Sequence, residues 1–231
     1  MDRMKNIVAV DWRSGPDLIY FFFKDTKTYS RVDMAEREVM KGHPTTVDGH
    51  WDTFSPHVAS LRFGFTTTSL GWNAGSDEDI AWLFYTQGDT PMVCKYNQDT
   101  DTVAGTYKVA NSLWAPILPY FFKIIAGTWW ETVGYPSLFK FLLNDGHYLT
   151  FDFKRNSLTR QAFTTSTGMR ALAPYANRIV TAAQYDRTLS DSHLYIFLTG
   201  EEYLVYNIPQ NRLVQGPSKV SNATWPGLLT N

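Results

Sequence analysis

Short apolar runs alternate with polar turns along the whole chain. Runs such as Leu18–Phe23 (LIYFFF), Ala81–Tyr85 (AWLFY) and His193–Phe197 (HLYIF) are dense in aromatic and aliphatic residues and bounded by turn formers. That is the pattern of buried β-strands. No stretch approaches the uninterrupted apolar length of a membrane-spanning helix, because Lys123 and Gly127 break the most apolar region, Leu113 to Trp130.

The pattern repeats. After each aromatic run comes a polar turn and then a second strand-like segment: YSRVD at 29–33, VCKYN at 93–97, YLTFD at 148–152 and YLVYN at 203–207. The closing residues Asp33, Asn97, Asp152 and Asn207 are 64, 55 and 55 positions apart, and an aliphatic follows six residues after each (Val39, Val103, Leu158, Leu213). Phe23, Phe84, Phe141 and Phe197 mark the first strand of each hairpin as core residues. Upstream stand Trp12, Trp72, Trp129 and Tyr185, and three residues before these the small residues Ala9, Ser69, Ala126 and Ala182. Trp51, Trp114 and Trp225 recur downstream, with Met169 in the third unit.

Four units of about 55 residues with three or four strands each predict an all-β, four-bladed propeller in a single domain spanning 1–231. Blades are expected near 1–55, 56–118, 119–174 and 175–231. Ala9, Ser69, Ala126 and Ala182 would line a central channel, where converging strands leave no room for bulk. The extra length between units one and two is assigned to a junction loop, His57 to Thr67.

Composition narrows the function. Lys plus Arg (21) balances Asp plus Glu (22), so no long-range field favours nucleic acid or an anionic membrane. One cysteine, Cys94, excludes an internal disulfide framework. The opening MDRMKNIVAVDW has no secretory apolar core. Cytoplasmic synthesis is expected, with later release left open.

Two segments carry a family resemblance. GPSKVSNATWPGL at 216–228 resembles the blade ending of hemopexin repeats, and LYIFLTGEEY at 194–203 their middle hairpin; GHPTTVDGHW at 42–51 resembles the same ending. A free-standing set of four such blades is similar to the legume albumin-2 proteins and related hemopexin-fold lectins. The resemblance implies a binding module for glycans or glycoproteins rather than an enzyme. Haem or a polyamine, a protein-interaction role and a homodimer stay open. It also implies that a channel cation such as Ca²⁺ could sit on backbone carbonyls at Ala9, Ser69, Ala126 and Ala182, with no cofactor required, although the Asp-Ala strand start of that family is missing here.

Catalytic signatures are absent. Cys94 lies within a strand and reads as a core thiol. Asn97–Asp101 lacks the glycine and bidentate glutamate of a calcium loop, so it reads as a turn. His43, His50 and His57, seven apart, match no metal motif and read as structural or exposed. For a sugar, an aromatic platform flanked by planar polar groups is required. Trp72 with Asn73, Trp129 with Glu131, Trp12 with Arg13, and Tyr185 are the candidates, with core packing as the alternative for the aromatics.

Overall fold

The computed structural model describes residues 3–68, 78–130, 137–186 and 192–229. They form four antiparallel sheets, each built from strands in chain order. Blade one contains β1 (Ile7–Trp12), β2 (Leu18–Phe23), β3 (Thr28–Asp33) and a split outer strand, β4 (Glu38–Val39) and β5 (Thr45–Thr46). Blade two contains β6 (Leu61–Thr68), β7 (Asp79–Gln87), β8 (Thr90–Asn97) and β9 (Thr102–Lys108). Blade three contains β10 (Ile124–Trp129), β11 (Leu138–Leu143), β12 (His147–Asp152) and β13 (Ser157–Ala162). Blade four contains β14 (Ile179–Asp186), β15 (Ser192–Leu198), β16 (Glu202–Asn207) and β17 (Arg212–Lys219). The first strands contact one another in a closed ring, β1 to β6 to β10 to β14 and back to β1. The fold is a four-bladed propeller.

The repeated Asp or Asn has a local cause. Each ends the third strand and turns the chain into the fourth: Asp33 Oδ1 accepts the amides of Ala35 and Glu36, Asn97 Oδ1 those of Asp99 and Thr100, Asp152 Oδ1 those of Lys154 and Arg155, and Asn207 Oδ1 that of Gln210. A short side chain that bonds the backbone two residues on is what this turn requires. Four residues after each, Arg37, Asp101, Asn156 and Asn211 all take φ between 48° and 59° to close the turn. The next strand then places Val39, Val103, Leu158 and Leu213 opposite the residue preceding the Asp or Asn.

Strand register corrects the alignment of other positions. Measured from the residue paired with the closing Asp or Asn, Phe22, Phe84, Leu142 and Phe197 are equivalent, so Phe23 and Phe141 are each one residue out and face the opposite blade. A one-residue slip reverses the face of a strand residue. All four sequence-assigned phenylalanines are nonetheless buried. The small inner positions are Ala9, Gly64, Gly127 and Ala182, paired with Phe21, Leu83, Phe141 and Ile196. Ala126 is one residue out, and Ser69 lies outside the described residues. The segment His57 to Thr67 is not a loop: His57–Ser60 completes a 3-10 helix, Asp52–Ser60, and Leu61 opens β6. The additional length of unit two falls after β6 instead, mostly between Gly64 and Leu83 and otherwise in the longer β7–β8 hairpin.

Four apolar clusters fill the four spaces between adjacent blades. In β2, Leu18, Tyr20 and Phe22 enter the space toward blade two, and Ile19, Phe21 and Phe23 the space toward blade four. Burial on both faces explains why LIYFFF is continuous rather than alternating. The blade-ending tryptophans anchor these clusters. Trp114 meets Phe65, Phe84 and Phe139 nearly edge-on, and Trp225 meets Tyr195 and Tyr203 at 90° and 88°. Perpendicular contacts of this kind suit the ring quadrupoles. Blade four joins blade one through Trp225, Leu228 and Met4, and the Val39 amide donates to the Pro226 carbonyl at 3.0 Å.

Candidate functional site

An open groove of ≈ 680 Å³ lies between blades one and two. Its floor is aromatic. Tyr20 and Tyr29, on paired strands, stack at 5.9 Å with 7° between their planes, Trp12 lies 4.5 Å from Tyr20, and Trp51 stands perpendicular to both tyrosines. Tyr96 of blade two closes the floor 5.0 Å from Trp51. All five rings are buried by their neighbours, while Lys41, His50, Asp52, Asp101 and Thr102 at the rim are exposed. The rim exists because the outer strand of blade one breaks after Val39, and Gly42 and Gly49, with φ of 88° and 79°, let residues 41–50 loop across the gap.

One cationic group is held in place. Arg31, on β3, donates from Nε to His43 Nε2 at 2.8 Å. Since a guanidinium only donates, His43 Nε2 accepts and Nδ1 carries the proton, directed at the Tyr29 carbonyl 3.3 Å away. Partial burial, with Arg31 adding to it, holds the His43 pKa below its ordinary value and keeps the ring neutral. Burial pushes the Tyr20 hydroxyl up to about 12 against the pull of Arg31, so it remains protonated. Across the groove, Asp52 accepts the Val103 amide through Oδ2 at 2.9 Å, tying the start of its 3-10 helix to blade two beside Asp101.

A second polar cluster closes one end of the inner ring. Asp11 Oδ1 accepts the Thr66 amide at 3.0 Å, and the Gln98 Oε1 accepts the amides of Arg13 and Ser14. The Arg13 guanidinium bonds Asp11 and Asp186 and lies 5.0 Å from the Trp129 ring centroid, so one side chain touches blades one, three and four. Burial raises Asp11 to about 6 despite Arg13. The recess beside it is small and holds Asp17 and Tyr185.

The sequence-assigned residues therefore separate. Trp12 enters the groove floor at 7% exposure, whereas Arg13 turns to the channel end. Trp129, 2% exposed beneath that guanidinium and packed in the cluster between blades two and three, offers no open platform. Register also makes Trp130, not Trp129, the counterpart of Trp12, since its amide bonds the Leu138 carbonyl. Tyr185 is half-buried against Tyr195. Trp72, Asn73 and Glu131 lie outside the described residues. In the channel, the Ala9 amide donates to Thr181 Oγ1 at 2.9 Å, and no cluster of three metal-ligating side chains occurs among the described residues. Tyr20, Tyr29, Arg31, His43, His50, Trp51, Asp52, Tyr96 and Asp101 escaped the sequence reading as a site. Only the crowding of His, Gly and Trp at 42–51 signalled it.

No known family matches the chain, and no curated protein is significantly similar to it.

Proposed function

We propose that this propeller is a non-enzymatic carbohydrate-binding protein, and that the groove between blades one and two is its binding site. The observation that carries the reading is the combination of an aromatic floor with charged and polar groups around it. A sugar offers C–H faces to aromatic rings and hydroxyls at its edge to planar donors and acceptors. Arg31 supplies donors, and Asp52 and Asp101 supply acceptors. The resemblance of the blade endings to hemopexin-fold lectins adds support, and nothing in the groove resembles a catalytic set. Cys94, 1% exposed and pushed by burial to about 12, is not a nucleophile.

A glycan array on the intact protein tests the reading, with D101N and D52N as groove variants. Both residues have positive φ, which asparagine tolerates, so the turns survive the loss of charge. Glycan signal lost by about tenfold in the double variant, with melting unchanged, supports the site. Binding insensitive to both substitutions places it elsewhere. One feature favours a second reading, haem: exposed His50 stands at the edge of the same aromatic groove, 6.2 Å from Tyr29. A Soret band that appears on titration and vanishes in H50A would favour it over the first.

A further inference from the structure

Resting on the saccharide reading, we propose that the groove selects carboxylated saccharides, with Arg31 taking the sugar carboxylate while Asp52 and Asp101 accept sugar hydroxyls. The feature that points there is an imbalance. Arg13 is matched with Asp11 and Asp186, Arg178 with Glu202 and the more exposed Arg160 with Asp145, while half-buried Arg62 gives its guanidinium to the Phe122 carbonyl and the faces of Phe121 and Phe122. Arg31 instead bonds a neutral imidazole, and no carboxylate of the described residues forms an ion pair with it. Among the described residues no carboxylate contacts it, and its orientation is fixed through Nε.

With Nε on His43 and one terminal N–H turned to the Tyr20 hydroxyl, the remaining terminal N–H groups are left to a ligand. Their planar donors match a carboxylate by two parallel hydrogen bonds, which a lysine does not reproduce. Buttressing by His43 and the stem's position beside Tyr20 and Tyr29 reduce the ordering cost on binding. Lys41 lies on the same side of the groove. The opposite side carries Asp52 and Asp101, which accept hydroxyls and repel excess negative charge. A ligand with one carboxylate and several hydroxyls, as in a hexuronic acid residue, suits both sides; a dianionic phosphate monoester suits the acidic side less. The volume falls in the ordinary small-ligand range of roughly 300–1,000 Å³.

Calorimetric titration with three probes tests this: a disaccharide ending in glucuronic acid, its methyl ester, and the neutral glucose counterpart. The acid should bind about tenfold tighter than the other two, equivalent to ~1.4 kcal/mol. R31Q should bring the acid down to the level of the ester and leave ester and neutral sugar within about twofold of their original affinities. R31K, which keeps the charge but not the fork, should lose most of the preference and guards against a folding defect in R31Q. Equal affinity for all three probes in the native protein overturns the carboxylate selection and leaves the saccharide reading intact. If these probes and the neutral and acidic glycans of an array all fail to bind, the saccharide reading falls, and this inference with it.

Discussion

Substituting Gly127 by alanine tests why the inner strands demand small residues. A Cβ there would lie 2.6 Å from Phe65 Cδ1, 2.9 Å from its Cε1 and 3.2 Å from Phe141 Cδ1. Both rings are locked, at 1% and 0% exposure, Phe65 between Trp114, Phe84 and Phe139. Overpacking of this kind costs about 1–3 kcal/mol. Removing a glycine from the unfolded chain returns only about 0.4–1 kcal/mol. Denaturant unfolding should therefore show a net loss of roughly 1–2 kcal/mol, or a melting temperature lower by about 2–8 °C for a chain of this size. Gly105 provides the control. Its added Cβ would be as close, 2.5 Å from the Tyr107 hydroxyl, but Tyr107 is 44% exposed on the outer strand and can swing away. G105A should leave stability unchanged or slightly raised. Equal stability of G127A and the native protein would refute the packing of β6 against β10 described above.

Three further outcomes are expected. Because burial raises Asp11 to about 6 from 3.8, the native state holds its proton more tightly than the unfolded chain does, so this group favours folding below pH ~4 and that contribution is lost as pH rises through ~6. The melting temperature of the native protein relative to D11N should fall across that window, and a constant difference would contradict the assignment. N207A, which deletes the acceptor of the Gln210 amide, should cost about 1 kcal/mol in urea unfolding; no change would mean that the turn closes without it. Cys94 should resist a disulfide-exchange reagent in the native state and titrate as one thiol in denaturant, whereas prompt native labelling would show that the packing between blades one and two opens.

The sequence alone determined the number of blades, the strand–turn–strand rhythm and the turn chemistry, because these depend on neighbours in the chain. Asp33, Asn97, Asp152 and Asn207 act within three residues of themselves, so their role is written locally. Tertiary structure decided which face each aromatic takes, since register is set by a partner strand and one residue reverses it; Phe23 and Phe141 illustrate this. It also decided that Gly64, not Ser69, enters the inner ring, because the insertion sits after β6 rather than before it. The groove was the least legible feature. Its walls come from Tyr20, Arg31, residues 41–52, Tyr96 and Asp101, and it is open only because the outer strand of blade one breaks where blade two turns. A gap is the difference between volumes contributed by distant segments, and no local pattern along the chain encodes that difference.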